Sequence, residues 1–448
     1  MEYPNSKLSK NIRRTIFYFF IFLFLIISPA VLMYTAGYRY DLKNGFLRIT
    51  GSVNIDVLPN TAEVYLNNNK LKTKIPIRLN DLTAGKFSLT IKNPGYFDWQ
   101  KNIEVVSKET VYIKDVVLIE KNQPVLLHEG EVEEISLSPD NKTLVYVVKK
   151  QDQKEIWQKN TKTGEKLLVI DSFPPEEPIL ITFSPNSNYY ILSTDKKPYE
   201  KLFIVSAQKT KEIFDFAAYV KEPIYKFQWH DGQNSEIYYD TSSQIFTFFP
   251  ETKSQIFVMK KNFLDWYMEG NKLWIIKENS STNKMELIKD SLGFGEIFSE
   301  EKELSAKQWE ILVAKNDFVL LKKINQAEML LFTQNKKYPI NGEKFFISKY
   351  NNWLITWTSW EIWTKAQNEE PALLNRSGMQ LQQVLPLDKY NTLGLVWAGN
   401  TTVLFPYYLV SHELISQKIN SAGSDSDNRI LYFSGKHEDK DGLWKLKY

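Results

Sequence analysis

The apolar pattern divides the chain into three regimes. Residues 15–36 run for 22 positions without a charge, which as a helix covers about 33 Å and matches the hydrocarbon thickness of a bilayer. Lys7, Lys10, Arg13 and Arg14 precede this run against the single acid Glu2. Positive charge stays on the cytoplasmic side of a membrane span. Residues 1–14 are therefore expected as a cytoplasmic tail, residues 15–36 as a single transmembrane helix and residues 37–50 as a juxtamembrane linker, with Tyr34, Tyr38 and Tyr40 at the far interface. A cleaved secretory signal is the competing reading. Thr35, Ala36 and Gly37 supply a small-residue run for cleavage, but the apolar stretch exceeds the 7–15 residues usual in signals, which favours an uncleaved anchor.

From residue 51 the pattern changes to period two. The runs SVNIDVLP, AEVYLNN, FSLTIKN, KNIEVVS and TVYIKDVVLIE are separated by Asn, Gly and Pro. Alternation buries one face of each strand, so residues 51–120 read as a small β-sandwich. Asn67, Asn68 and Asn69 would turn the chain after the Val64-Tyr65-Leu66 run.

The third regime is a repeat. Leu137-Ser138-Pro139-Asp140-Asn141 precedes the strand TLVYVV, Phe183-Ser184-Pro185-Asn186 precedes YYILS, and Trp229-His230-Asp231-Gly232 precedes EIYYD; Leu137, Phe183 and Trp229 are spaced by 46 residues. Later hairpins begin near Lys272, Asp317, Trp353, Leu393 and Arg429. The mean step of about 41 residues is that of four-stranded propeller blades. Residues 121–448 are thus expected to form a β-propeller of about eight blades, alternatively seven, closed when a strand at residues 124–128 completes the last sheet and removes an exposed edge. The fold class expected for the whole chain is all-β with one N-terminal transmembrane helix.

Two family resemblances follow from these residues. Pro59-Asn60-Thr61-Ala62-Glu63-Val64-Tyr65-Leu66-Asn67, Pro76, Leu82-x-Ala84-Gly85-x-Phe87 and Pro94-Gly95-Tyr96 resemble the PEGA domain, which implies an extracytoplasmic, envelope-associated sandwich without catalytic residues. The naming tetrapeptide is Pro-Asn-Thr-Ala here, and Asn68 stands where the family has Gly; Asn tolerates the left-handed backbone such a turn needs. The Ser-Pro-Asp-Asn and Thr-Gly-Glu signals of the first units resemble WD40-like repeats of the TolB type.

Composition narrows the chemistry. The chain has 448 residues, 43% of them hydrophobic and 14% aromatic, so it is not a disordered chain. Without cysteine it holds no disulfide, thiolate nucleophile or Cys-ligated metal. His128, His230, His412 and His437 are scattered singly. The net charge of +3 lies entirely in the first 14 residues, and only seven Arg occur, so no nucleic-acid partner is expected. Phosphate-binding, dinucleotide and nucleophile-elbow motifs do not occur. Asp425-Ser426-Asp427 and Asp439-Lys440-Asp441-Gly442 read as hairpin turns rather than calcium loops.

Aromatic residues remain as candidates. Trp353, Trp357, Trp360 and Trp363 cluster in one hairpin, and Trp99 lies in the sandwich. Packing between blades accounts for most such residues. Trp360, Trp363 and Trp99 are the candidate ligand-binding positions, with no catalytic, metal or cofactor residue expected. The expected function is a non-enzymatic, membrane-anchored scaffold or recognition protein of the cell envelope that binds protein or cell-wall glycan through its propeller. The alternative is a propeller enzyme acting on glycans through channel carboxylates.

Overall fold

The computed structural model describes residues 9–35, 38–41, 46–208, 212–232, 235–282, 284–291, 294–301, 304–315, 318–333, 336–366 and 369–448. Glu2, Lys7, Ala36, Gly37 and Asp317 lie outside these. The chain separates into two compact units, residues 1–121 and residues 122–448.

In the first unit the N-terminal helix spans Lys10–Thr35 and contains Pro29. Its Asn11–Thr35 stretch is long and apolar enough to cross a membrane, with a mean hydropathy of 2.6, and most of its large apolar side chains are exposed. An anchor and a signal sequence both fit this helix. The expected linker at residues 37–50 is instead largely strand. Tyr38–Asp41 pairs antiparallel with the start of Phe46–Leu58, Tyr38 opposite Ile49 and Arg39 opposite Arg48. The sheet therefore begins at Tyr38, thirteen residues upstream of the Gly51 boundary.

The sandwich itself consists of two four-stranded sheets. Strand Phe46–Leu58 pairs with Ile77–Thr83 and, in parallel, with Thr110–Val117. The second sheet runs Asn69–Lys70, Glu63–Leu66, Gly85–Lys92, Trp99–Val105. Val53, Ile55, Val57, Val64, Leu89, Ile91 and Ile113 are buried as the period-two pattern demands. Asn67 and Asn68 take φ of 48° and 65°, the left-handed turn for which Asn replaces Gly. Gly51 is required for another reason: a Cβ there would collide with the carbonyl oxygen of Val106.

The second unit is a β-propeller. Among the described residues eight four-stranded antiparallel sheets follow one another. Their first strands are Val132–Leu137, Leu180–Phe183, Lys226–Trp229, Asp265–Glu269, Trp309–Lys315, Lys344–Ile347, Leu381–Pro386 and Ile419–Asp425. The hairpins read from sequence begin at the second strand of each sheet: Thr143, Tyr189, Ile237, Lys272, Phe318, Leu354, Leu393 and Ile430 open these strands. Strand Val125–Glu129 pairs with Lys440–Lys447 and completes the last sheet from the opposite end of the unit.

Neighbouring first strands stand side by side and line the ring. The Gln228 amide brackets Met268 of the next sheet, Nε2 donating to its carbonyl at 2.6 Å and Oε1 accepting its N–H at 2.9 Å. Gln383 does the same to Ala422, at 2.9 and 3.2 Å. The Ile135 N–H donates to Ser421 Oγ at 3.2 Å, closing the eighth sheet on the first. Between sheets the buried faces interlock, with Val145, Val147, Tyr190 and Leu192 joining the first two and Trp274, Leu287, Trp309 and Val319 the fourth and fifth. Such dry inter-sheet contacts supply the stability that disulfides would in a smaller chain.

Candidate functional site

Four of the eight first strands break their ladder at the same end. Register shifts lie between Val132 and Glu134 in the first sheet, Ile311 and Val313 in the fifth, Leu381 and Gln383 in the seventh, and Ile419 and Ala422 in the eighth. A bulge inserts an unpaired residue and re-aims its side chain. The residues so inserted include Leu312, Gln382, Asn420 and Ser421, and all four line one cavity of about 730 Å³. Glu134, just after the first-sheet bulge, lines it as well.

This cavity lies at the end of the ring where the loops between second and third strands emerge. Thr358 and Ser359 of the sixth sheet form part of its wall, together with Trp357 and Phe345. Its polar character comes from amides, with Gln380, Gln382, Gln383 and Asn420 joined by the Ser421 hydroxyl. Charge is sparse: Glu134, Glu343 and Lys344 are its ionisable side chains. Burial is the main influence on Glu134 and raises its carboxyl pKa above the ordinary range, opposed by a hydrogen bond from Ser421 and the ammonium of Lys344. Two polar atoms in the wall, Gln382 Oε1 and Trp357 Nε1, are buried without a hydrogen-bond partner.

The opposite end of the ring is tied. Tyr350 Oη donates to Asp427 Oδ1 at 2.5 Å, Lys349 Nζ to Asp427 Oδ2 at 3.1 Å and Asn141 Nδ2 to the same oxygen at 3.0 Å. These contacts link the turns of the sixth, eighth and first sheets. The Tyr350 hydrogen bond is the main reason that the Asp427 carboxyl stays below its usual pKa. Asp425 accepts the N–H groups of Asp427 and Asn428, so Asp425-Ser426-Asp427 is a capped turn, as its sequence implied.

The three candidate tryptophans do not form one site. Trp360 is half exposed at 51%, on the loop next to Ser359. Its N–H donates to Thr358 Oγ1 and its carbonyl accepts the Ser377 N–H, which fixes the loop at the cavity wall. Trp363 packs on the Val313, Leu320 and Leu354 cluster between the fifth and sixth sheets, its Nε1 donating to Glu361 at 2.9 Å. It is an inter-sheet residue, because its place on Glu361–Lys365 turns it away from the cluster holding Trp357. Trp99 is wholly buried in the sandwich core, where strand alternation places it beside Ile91. It offers no surface to a ligand. The Trp353 ring meets that of Tyr407, in a turn of the seventh sheet, at a 59° tilt with centroids 5.0 Å apart.

Sequence reading missed Gln380, Gln382, Asn420 and Glu134. A bulge has no residue signature of its own, yet Met379-Gln380-Leu381-Gln382-Gln383 breaks strict alternation with two adjacent amides at the start of a strand. No group of three or more His, Cys, Asp or Glu that could hold a metal occurs among the described residues.

Residues 50–119 match the family model of the PEGA domain. No curated protein matches the chain. Solved structures similar to it include U3-55K, at 9% identity over 74% of this chain and 100% of that one with a TM-score of 0.43. The Dos1 propeller is similar at 9% identity over 72% and 94%, TM-score 0.46. Sqt1 of Saccharomyces cerevisiae is similar at 9% identity over 72% and 98%, TM-score 0.46.

Proposed function

We propose that this protein is a non-enzymatic recognition or scaffold protein of the cell envelope, held in the membrane by its N-terminal helix. Its N-terminus is cytoplasmic, its PEGA domain and propeller are extracytoplasmic, and the propeller binds protein or cell-wall glycan at the mouth of its ring. The observation that carries this reading is the set of bulged first strands that turn Leu312, Gln382, Asn420 and Ser421 into one cavity. Rigid frames that present irregular positions at one end serve binding. The basic residues before the span support the orientation.

A second reading rests on one observation. Glu134 and Glu343 line the same cavity, and burial keeps the Glu134 carboxyl protonated to higher pH, as a general acid for glycoside cleavage requires. Against it, Lys344 and four amides share the wall, so the surroundings resemble a polar binding site more than an isolated carboxylate pair.

The test uses the detergent-solubilised full chain as bait against envelope extract and purified wall polymers. Wild type retains a partner, and the Gln380→Ala/Asn420→Ala variant, altered only at exposed side chains, loses it while keeping its melting temperature. Equal retention by both overturns the ring-mouth reading. Product release from wall polymer that stops in Glu134→Gln would establish the enzyme instead. Protease added to intact cells should cut the C-terminal half; protection there would reverse the orientation.

A further inference from the structure

Resting on the recognition reading, we infer that the ring-mouth cavity takes an uncharged, hydroxyl-rich ligand, a segment of neutral glycan. The argument starts from the two unpartnered atoms of the wall. Gln382 Oε1 can only accept a hydrogen bond and Trp357 Nε1 can only donate one. A phosphate or carboxylate would serve the indole N–H alone, and an ammonium would serve the amide oxygen alone. A hydroxyl group donates and accepts, so one chemical group repeated along a ligand satisfies both. Both atoms are covered in the free protein; Gln382 is partly exposed as a residue and inserted by a bulge, so rotation about its side-chain bonds brings its amide to the cavity and uncovers the wall behind it.

The rest of the wall agrees with this. Gln380 and Asn420 are exposed amides, each able to donate and accept, and Ser421 and Ser359 are hydroxyls. Glu134 accepts from hydroxyls whether or not it is ionised. Trp360 stands beside Ser359 with half its surface open, an apolar face suited to the C–H side of a sugar ring. A volume of about 730 Å³ lies within the range of sites that enclose small ligands. A peptide fits less well. Peptide docking uses free strand edges or apolar anchor pockets, and here the seventh and eighth first strands are already bridged by Gln383 and Ala422 while most of the lining is polar. The Tyr350–Asp427 bridge at the far end directs the ligand to enter from the Ser359 side.

Isothermal titration of the full chain in lipid nanodiscs tests the inference with named probes: the tetrasaccharides of N-acetylglucosamine, glucose and mannose, inorganic polyphosphate, and a Ser-Ala tetrapeptide. At least one neutral tetrasaccharide should bind, polyphosphate and the tetrapeptide should not, and Gln382→Leu should weaken binding tenfold or more at unchanged melting temperature. Trp360→Ala should weaken it severalfold. The glycan assignment is overturned if no tetrasaccharide binds, if polyphosphate or the tetrapeptide binds as tightly, or if Gln382→Leu leaves affinity intact. Should the tetrasaccharides fail while Gln380→Ala/Asn420→Ala still abolishes envelope retention, the recognition reading stands and the glycan does not. Retention indifferent to that double variant removes both.

Discussion

The first three sheets of the propeller and the last four solve the same geometric problem differently. In the first two sheets the turn between first and second strands is built by one device, a serine hydroxyl, and in the third His230 Nδ1 stands in its place and accepts the Gly232 N–H. Ser138 Oγ donates to Asp140 and accepts the Thr143 N–H; Ser184 Oγ donates to Asn186 and accepts the Tyr189 N–H. The second strands that follow pair with the third strands without a register shift, and the 46-residue step is constant. In the later sheets Ser348 and Asp388 occupy the equivalent turns with looser or different bonds, and three of the four bulged first strands, the fifth, seventh and eighth, fall here, the other being that of the first sheet beside Glu134. Regularity marks the frame, and local departure from it coincides with the cavity. Natural chains break local rules where function requires it and compensate elsewhere, so the division makes a claim about energy: early residues should carry stability, and the late residues inserted by bulges should not.

The largest effect expected is in the frame. Trp229 is 7% exposed, packs with Ile191, Ile204 and Phe216, and donates its Nε1 hydrogen to the Thr182 carbonyl of the preceding sheet. Trp229→Ala should cost about 3–5 kcal/mol in denaturant unfolding. A cost under about 1 kcal/mol would break the view that the first three sheets hold the ring. Next in size is a matched contrast between turns. Ser184→Ala removes several hydrogen bonds of a wholly buried hydroxyl and should cost about 1–3 kcal/mol. Ser348→Ala, whose Oγ contacts Asn391 and the Tyr350 N–H only at 3.4 Å, should cost less than half as much. Equal costs would erase the distinction between early and late turns.

A smaller effect depends on pH and sits at the seam between the two regions. His128, on the closing strand, meets Tyr146 Oη at 3.0 Å and lies against the Trp157 ring. Burial first, then Lys166 and Lys150, lowers its pKa below 6.5. The folded state therefore binds this proton less readily than the unfolded state, so the contribution is complete above pH 6.5 and is lost as pH falls through the lower folded value. Unfolding midpoints of wild type should decline over that window, and His128→Gln should flatten that part of the profile. An unchanged slope in the variant would remove His128 from the seam.

How far the chain could be read from its letters follows the same division. The strand starts at Thr143, Tyr189, Lys272 and Leu393 were legible because period-two apolar runs follow turn residues. Closure by residues 125–129 was legible because a ring needs its last edge covered. The strand at Tyr38–Asp41 was not, since four residues between the helix and the sandwich show too little alternation to separate strand from linker. Later turns hid a signal that was present. Lys349-Tyr350-Asn351 and Lys389-Tyr390-Asn391 recur 40 residues apart, and Asn352 and Asn391 take the positive φ that Asn141 takes in the first unit. The site was mostly illegible because large aromatics draw attention in sequence, whereas Trp99 and Trp363 serve packing. Bulges, which place the amides, are set by pairing between strands rather than by residue type.

The finest contrast lies in two neighbouring glutamines. Gln383 brackets Ala422 with two hydrogen bonds, the same arrangement by which Gln228 brackets Met268. Truncating it to Ala leaves a backbone N–H and carbonyl without those partners, which should cost about 1–2 kcal/mol. Gln382, one residue earlier, is the inserted residue of the bulge, and its Oε1 has no partner. Removing a buried acceptor that nothing satisfies recovers its desolvation penalty, so Gln382→Ala should leave unfolding stability within about 0.5 kcal/mol of wild type or raise it. Identical side chains would then differ by their register alone, one holding two sheets together and the other kept at a cost to the free protein. A Gln382→Ala loss as large as that of Gln383→Ala would show that the seventh strand is frame throughout, and the separation of ring from site would have to be drawn elsewhere.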